Sequence, residues 1–544
     1  MKKHLVLSIS LFILALQVFS QSGQPLRVEI PVKAGSNPFH YISFGEKGLC
    51  LFYPTSNDAG KDSISWSFVM HDRNLKEQWK KLIPMHEDVS YIKGFRHDDA
   101  LYLLFHDTQR NIDGNIHVLL VIPSLQLITE HKSAIPDKAE IVDFEIFNEY
   151  ALIGYNLRRG KPGLIGFSLV SGEKRTFDFS LDDNALLLDI FSDTVYKDIY
   201  AVYKVQPSAS KNRLMVNQYN SSSALRRSIT FENVQEKKIL NSAQLVLTAE
   251  GKGFVAGAYG SGAKNRRNYD YYNDYYNYYY FNSLYRRQLN QDVNQDNTPV
   301  SDGYYTASFS PSGEGSILYH SFIDFPDMHK YLNDPEALRT KRKADKRNNP
   351  DAGGPGSDKE YSLDYRMLIH PIISRKGSYF LLTEAYVPEY HTMTQMVYDY
   401  YGRAVPSTYS VFDGYRYRSA FIASFDSSGR LQWSNGMEMR DILTTYLNRK
   451  MNFYLDGDDE IILFYNANSK IAYKTIRREN ILESTALTPI APKRITDQPV
   501  SEYLGSIEYW YGNYFIAAGY ETLRNNALDE NKRNVFYLSK MAFR

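Results

Sequence analysis

The hexapeptide GLCLFY, Gly48 to Tyr53, decides the fold class because related runs recur along the chain. Each run is short and apolar, and each ends in an aromatic residue or in His. The eight runs are GLCLFY (48–53), ALYLLFH (100–106), YALIGY (150–155), DIYAVY (198–203), GFVAGAY (253–259), YFLLTEAY (379–386), EIILFY (460–465) and YFIAAGY (514–520). Apart from two long gaps, they recur at intervals of about 50 residues. Such a period is typical of folds built from repeated supersecondary units.

The surroundings of each run extend it to a unit of four strands, A to D, in which the run is strand B. A short strand pattern and a tight turn precede the run, as in HYISFGEKG (40–48) and MNFYLDGDD (451–459). A connection and a hairpin follow it, as in SAFIASFDSSGRLQW (419–433). These segments are rich in β-branched and aromatic residues with Gly, Asn, Asp and Ser at the bends, which is typical of strands and turns.

Eight units can be drawn, and the last lacks its strand D. The segment LRVEIPV (26–32) can supply that strand and close a ring through the two ends of the chain. We therefore predict an all-β fold, an eight-bladed β-propeller of four-stranded blades closed by the mature N-terminal strand. Seven blades is the second choice, and two separate β-sandwiches is the alternative architecture.

One hairpin carries a family resemblance. FDSSGRLQW (425–433) resembles the Asp-x-x-Gly…Trp hairpins of quinoprotein-like propeller repeats. The chain as a whole resembles exported propeller-like proteins of unassigned function. The resemblance implies a β-propeller and implies no particular activity.

Composition and the first residues bound the class of protein. The 544 residues are 43% hydrophobic and 23% charged with a formal net charge of +1, which is typical of a globular protein and disfavours nucleic acid as a partner. Residues 1–20 have a basic start and a short apolar run, which predicts a signal peptide cut before Gln21; an uncleaved anchor is the alternative. We expect an exported protein, periplasmic or extracellular, with no transmembrane segment in the mature chain.

Cys50 is the single cysteine, so an internal disulfide is impossible, and its apolar setting predicts a small buried side chain.

The long insertions are predicted to share one face of the ring. Residues 21–544 are expected to form one propeller domain with insertions at about 260–302, 324–363 and 387–418. In a four-stranded blade, the B–C and D–A connections lie on the face opposite to the A–B and C–D turns. All three insertions fall on B–C or D–A connections of units five and six, and insertions on one face of a repeat array commonly mark its binding face.

The first insertion contains a tyrosine-rich stretch, NYDYYNDYYNYYYFNSLYRR, residues 268–287. Tyr offers a flat apolar ring and a hydroxyl at low entropic cost, which suits contact with a sugar ring or a partner protein. We predict an aromatic patch that binds a glycan or an envelope protein; a low-complexity loop without a ligand is the alternative. The predicted ligand-binding residues are Tyr269, Tyr271, Tyr272, Tyr275, Tyr276, Tyr278, Tyr279, Tyr280, Tyr398, Tyr400 and Tyr401.

No catalytic motif is recognisable, and no catalytic residue, cofactor or metal site is assigned. The acidic segment around Asp456 and Glu460 lacks the ligand spacing of a calcium loop and fits a hairpin turn better. His106 and His391 are isolated, and His106 takes the repeat position of a packed Tyr. The preferred function is an exported, non-enzymatic binding or scaffold propeller, with the oligomeric state left open.

The alternative is a propeller hydrolase that acts on polysaccharide at the same face. It would need two carboxylates near the central channel at a suitable separation. The candidates inside strand patterns are Glu145, Asp189 and Glu384.

Overall fold

The computed structural model describes most of the chain between residues 26 and 542. The described ranges are 26–33, 38–60, 62–107, 115–137, 139–157, 161–178, 184–208, 211–232, 238–248, 250–261, 300–325, 327–328, 365–398, 401–445, 447–457, 460–525 and 532–542. They hold 35 strands and three short 3-10 helices, Gly45–Lys47, Pro123–Leu125 and Phe322–Asp324. Within these ranges, no helix has the length and apolar character needed to cross a bilayer. The predicted signal peptide lies outside them.

The first four blades are regular four-stranded antiparallel sheets, and the first described strand, β1 (Arg27–Pro31), belongs to the last blade. Blade one is β2 (His40–Ser43), β3 (Leu49–Gly60), β4 (Ser63–His71) and β5 (Glu77–His86). Blade two is β6 (Val89–His97), β7 (Ala100–Asp107), β8 (Ile116–Ile122) and β9 (Leu127–Ser133). Blade three is β10 (Ala139–Phe147), β11 (Tyr150–Leu157), β12 (Gly163–Ser168) and β13 (Lys174–Thr176). Blade four is β14 (Asn184–Asp193), β15 (Asp198–Ser208), β16 (Lys211–Asn220) and β17 (Leu225–Phe231).

The last four blades include the two in which the innermost strand is split. Blade five is β18 (Lys238–Leu240), β19 (Gln244–Leu247), β20 (Gly253–Ser261), β21 (Gly303–Phe309) and β22 (Gly315–Ser321). Blade six is β23 (Arg366–Ile369), β24 (Ile373–Arg375), β25 (Ser378–Tyr398), β26 (Ala404–Phe425), β27 (Leu431–Glu438) and β28 (Leu443–Thr444). Blade seven is β29 (Met451–Asp456), β30 (Glu460–Ala467), β31 (Lys470–Arg477) and β32 (Asn480–Pro489). Blade eight is β33 (Gln498–Tyr511), β34 (Tyr514–Arg524), β35 (Lys532–Ala542) and β1.

The predicted architecture is confirmed in its main features. All eight recurring runs lie in the second strand of a blade, and there are eight blades rather than seven blades or two sandwiches. The core explains the repeat, because the buried apolar residues form eight clusters and each cluster joins two neighbouring blades. A middle strand is therefore covered on both faces and is apolar without alternation. Leu103, Leu104 and Phe105 on β7 are all 0% exposed.

Ring closure by the N-terminal strand is also confirmed. β1 pairs antiparallel with β35, from Arg27 opposite Ser539 to Pro31 opposite Val535. The Arg27 guanidinium is fully buried, forms an ion pair with Glu521, and lies 4.2 Å from the centre of the Tyr537 ring. The first and last described strands of the chain thus complete one blade together.

The strand ends that flank the tight turns and those that flank the long connections lie on opposite faces of the ring, as the antiparallel strand order requires. Gly48, in the turn before β3, shows how tight a turn can be: its φ is 114°, and a Cβ there would lie 1.9 Å from the carbonyl oxygen of His71. On the opposite face, β20 ends at Ser261 and β21 begins at Gly303, while β22 ends at Ser321 and β23 begins at Arg366. We call this opposite face, at blades five and six, the long-connection face.

The third insertion takes a form that differs from the expected connection. β25 and β26 continue past the blade as a paired ribbon, with Val387 opposite Arg416 and Tyr398 opposite Ala404. Thr, Val and Tyr are frequent in both strands and favour extended structure. A register shift near Glu389 interrupts the alternation of the ribbon, so that sequence periodicity alone did not reveal the strands.

Candidate functional site

The central channel of the ring is lined by the innermost strands of the blades. Several polar side chains on these strands keep some solvent exposure. Tyr41 on β2, Tyr91 and Lys93 on β6, Glu145 on β10 and Glu508 on β33 have this property. The channel wall therefore carries phenols, carboxyls and an ammonium group.

Three consecutive innermost strands each place a charged residue directly after a β-bulge. The register shifts lie between Tyr91 and Lys93 on β6, between Ile141 and Asp143 on β10, and between Leu187 and Asp189 on β14. A bulge bends its strand and redirects the side chain that follows. The three bulges bring one cation and two carboxyls toward the channel at matching positions of blades two, three and four.

These residues and Glu145 form a charged cluster. Lys93 Nζ lies 2.5 Å from Asp143 Oδ1 and 3.7 Å from Glu145 Oε1, so that one ammonium group bridges both carboxylates. Burial raises the pKa of Glu145 to about 7, with Lys93 opposing the rise and Asp143 adding to it. Ser192 Oγ lies 3.5 Å from Glu145 Oε2 and can donate a hydrogen bond to it. The carboxyl of Glu145 can therefore gain or lose a proton near neutral pH.

Asp189 joins the same cluster and also links blade four to blade five. The backbone N–H of Leu245 donates a hydrogen bond of 2.7 Å to its Oδ2, and the Gln244 amide lies 3.4 Å from its Oδ1. Burial and the charge of Asp143 raise the pKa of Asp189, while the Leu245 hydrogen bond opposes the rise. The structure thus brings together two of the three carboxylates predicted from the sequence. The sequence analysis did not identify Lys93 and Asp143. A shared spacing could have revealed them, because Lys93 precedes the start of β7 by seven residues and Asp143 precedes the start of β11 by seven residues.

The third predicted carboxylate, Glu384, serves a different purpose. It is 0% exposed and accepts hydrogen bonds from the backbone N–H groups of Lys450 (2.9 Å) and Met451 (3.0 Å) and from His370 Nε2 (2.6 Å). Burial lowers the pKa of His370, and the Glu384 carboxylate opposes that shift. These hydrogen bonds join blade six to the start of blade seven. Glu384 therefore has a structural role, because its carboxylate oxygens are occupied by donors of the protein itself.

The remaining acidic and histidine candidates are also accounted for by local structure. Asp456 pairs with Glu460 across the β29–β30 turn, as the hairpin interpretation predicted, whereas Asp458 and Asp459 lie outside the described residues. Burial lowers the pKa of His106 to about 4, so that its imidazole is neutral at pH 7. His391 Nδ1 lies 2.5 Å from Asp413 Oδ1 on the β25–β26 ribbon. The predicted packing setting of Cys50 is confirmed, since its side chain is 0% exposed.

The predicted tyrosine patch falls almost entirely outside the described residues. Eight of its members, in 269–280, and Tyr400 lie there, and Tyr398 is described only as part of β25. Tyr401 is described and is 77% exposed, with the Arg403 guanidinium 5.3 Å from the centre of its ring. Met393 and Met396 on the same ribbon are also exposed. The described part of the long-connection face thus presents aromatic and thioether groups to solvent.

The described side chains offer no evident metal centre. Among them, no group of three or more His, Cys, Asp or Glu residues is placed to hold a metal ion. The channel cluster has an ammonium group between its carboxylates, which satisfies their charge without a metal.

Comparison with known proteins finds similarity to solved structures only, at 10% sequence identity or less in those described below. No family model matches the chain, and no curated protein matches its sequence. The crystal structure of the polysaccharide lyase Uly1 matches 94% of this chain and 100% of its own at 10% identity, with a TM-score of 0.37. The β-propeller domain of the Trilobed protease from Pyrococcus furiosus matches 84% of this chain and 99% of its own at 7% identity, with a TM-score of 0.35. A Mycobacterium tuberculosis puromycin-hydrolyzing peptidase matches 89% of this chain and 58% of its own at 7% identity, with a TM-score of 0.37. These likenesses are too distant to say what the chain does.

Proposed function

We propose that this chain is an exported, non-enzymatic binding or scaffold β-propeller that recognises a glycan or protein partner at the long-connection face. The observation that carries the proposal is the concentration of long connections and of the β25–β26 ribbon on blades five and six. The other turns between described strands of the ring are short, so the long connections and the ribbon are confined to blades five and six. Loops on a rigid scaffold are where binding residues are commonly found.

The β25–β26 ribbon supports a binding role on energetic grounds. The pairing of β23 with β25 ends at Tyr386, and β28 pairs with β26 only at Tyr415 and Arg416. Beyond these residues β25 and β26 pair only with each other, and the ring closes without this extension. A two-stranded ribbon is at best marginally stable in water. Its exposed Met393 (44%), Met396 (62%) and Tyr401 (77%) lower solubility unless a partner covers them. A ribbon of this composition is best explained by contact with a ligand or partner.

The first test shortens the ribbon without touching the blade. Residues 390–413 are replaced by Asn-Gly, which joins the cross-strand partners Glu389 and Gly414 through a two-residue hairpin turn. A second variant replaces residues 269–285 with a Gly/Ser linker of equal length. We expect both variants to keep the melting temperature of the parent and to lose signal on a glycan array. Unchanged array binding by both variants would overturn the proposed face.

A second candidate function, polysaccharide hydrolysis, is favoured by the channel cluster. Glu145 and Asp143 share the Lys93 ammonium, and a carboxyl with a pKa of about 7 can act as a general acid. The substitution Glu145→Gln keeps the shape and removes the proton donor. If the protein is a hydrolase, this variant loses product formation while keeping array binding. A parent protein that binds a glycan and releases no product supports the binding role instead.

A further inference from the structure

The β25–β26 ribbon stands clear of the described protein beyond its base. Residues 391–394 are consecutive in β25 and all four are exposed, so described protein covers neither face of the ribbon. Beyond Tyr386 on one arm and Tyr415 on the other, the two strands pair only with each other. The ribbon therefore has two outer edges, one on each strand, that no described strand pairs with.

Two prolines show which backbone groups of the ribbon face outward. Pro388 lies in β25, and Pro406 lies in β26 opposite Met396. Proline has no N–H, and in a paired strand it lies where its nitrogen faces away from the partner strand. The bulge near the base adds its extra residue to β26, so the alternation along β25 is continuous. Every second residue from Pro388, including Thr392, Thr394 and Met396, therefore turns its backbone N–H and C=O outward.

The Thr394–Thr408 pair agrees with this assignment. The two residues are direct cross-strand partners, and their hydroxyl oxygens lie 3.2 Å apart. Side chains approach most closely in those antiparallel pairs whose own backbone groups face outward. Thr394 thus presents its N–H on the outer edge of β25, and Thr408 presents its N–H on the outer edge of β26.

The two outer edges differ in their protection against pairing. An open edge can pair with another strand, and proteins commonly prevent this with charged residues, especially Lys, or with Pro. The outermost strand of blade one, β5, carries Lys80 and Lys81. Pro406 and the bulged Asp413 limit the outer edge of β26 at both ends. From residue 392 to residue 398, β25 has no proline and no charged residue, so its edge is the unprotected one.

We propose that the outer edge of β25 pairs with the same edge of a second copy of this chain, so that the two ribbons form one four-stranded sheet. The proposal rests on the proposed function, in which the ribbon is a contact surface, and it names one partner of that surface. Antiparallel pairing about a two-fold axis is self-complementary, because each copy supplies the same donors and acceptors. Residues 392–398 are uncharged, so this run can pair with itself without placing like charges opposite each other.

The geometry of the ribbon allows this pairing. The arm from Glu389 to Tyr398 spans about 30 Å, and its ring lies at the base of the arm. In an antiparallel pair, the base of each ribbon lies beside the tip of the other, so the two rings lie at opposite ends of the shared sheet. The added strand also covers part of the exposed surface of Met393 (44%) and Met396 (62%).

Proline variants of the two opposed threonines test the proposal. Thr394→Pro removes an outward N–H from β25, and the matched control Thr408→Pro removes one from β26; both lose the same hydroxyl contact. Sedimentation velocity is measured on the chain from Gln21, from about 1 to about 100 µM, a range suited to a small interface. We expect the parent and Thr408→Pro to change from monomer to dimer over this range. Thr394→Pro should raise the dissociation constant at least about tenfold.

Hydrogen exchange of the parent tests the same edge without a substitution. The amides of Thr392, Thr394 and Met396 should exchange more slowly at about 100 µM than at about 1 µM, because they become paired in the dimer. The amide of Thr408 should exchange at the same rate at both concentrations. Equal rates for the three β25 amides at both concentrations would contradict the pairing.

Three other results would also overturn the proposal. The first is a parent that stays monomeric throughout the range, and the second is a Thr394→Pro variant that dimerises with the affinity of the parent. The third is a parent that dimerises only after residues 269–285 are replaced by a Gly/Ser linker, which would show that the chain's own insertion covers the edge.

Failure of this proposal and failure of the proposed function give different results. If only the second-copy assignment fails, Thr394→Pro leaves the oligomeric state unchanged while the shortened ribbon still loses its signal on the glycan array. If glycan recognition at this face fails instead, Thr394→Pro abolishes the dimer while shortening the ribbon leaves the array signal unchanged.

Discussion

Ring closure by β1 predicts that the first strand after the expected signal peptide is essential for stability. The perturbation is a mature chain that begins at Lys33 instead of Gln21. It removes β1, its ladder to β35, and the hydrogen bonds that join Leu26 to Lys540 (2.9 Å) and Val32 to Asn534 (3.0 Å). Blade eight is left with three strands and an open edge.

The magnitude follows from what β1 contributes. Val28, Ile30 and Val32 pack partly buried against the core between blades eight and one, and each is worth on the order of 1 kcal/mol. The Arg27 guanidinium is the ion-pair partner of the fully buried Glu521, and removing one partner of a buried pair costs about 3–5 kcal/mol. Together with the lost hydrogen bonds, the loss is comparable with the total stability of a folded domain, about 5–15 kcal/mol.

The assay is thermal and urea unfolding followed by circular dichroism, with the chain starting at Gln21 as reference. We expect the truncated chain to be unfolded or to melt at least about 10 °C lower. Glu521→Gln in the truncated chain should recover part of the loss, because it removes the uncompensated buried charge. A truncated chain that melts within about 2 °C of the reference would refute the reasoning.

Four further outcomes are expected. Glu384→Ala should lower the free energy of unfolding by about 3 kcal/mol in urea titrations, because His370 and two backbone N–H groups lose their acceptor; an unchanged midpoint would contradict the inter-blade role. The pKa of Glu145 is raised on folding to about 7, so the stability of the parent relative to Glu145→Gln should fall as the pH rises from about 4.5 to 7, and a flat difference would argue against the shift. The thiol of Cys50 is fully buried and its pKa is raised to about 12, so maleimide labelling should require urea; rapid labelling of the native protein would contradict this. Mass spectrometry of the envelope fraction should find an N-terminus near Gln21, and an intact cytoplasmic Met1 would contradict export.

The strands and their grouping into blades were predictable because they depend on patterns among residues that are close together in the sequence. The runs that end at Tyr53, Tyr155 and Tyr465 are apolar without alternation because each lies in a sheet covered on both faces, and this pattern is visible in one sequence. Turn residues then mark the strand ends. The number of blades and the use of residues 26–32 as the closing strand follow from counting these units.

The β25–β26 ribbon shows where local patterns were insufficient. Residues 387–418 were expected as a connection, yet most of them are paired strand residues. The register shift near Glu389 and the bulged Asp413 break the period of two on which strand prediction depends. The pairing of β25 with β26 forms a regular ladder on both sides of the register shift, which cannot be recognised from the sequence of either strand alone.

The sequence by itself determined the strand repeat, the ring and the strand that closes it, because these depend on neighbours within a few residues and on a regular spacing. Only the tertiary structure decided which charges meet. Lys93, Asp143 and Asp189 stand about 50 residues apart and look like ordinary strand residues until three blades converge on one channel. Convergence around an axis is a long-range property, and no local pattern encodes which side chains it brings together.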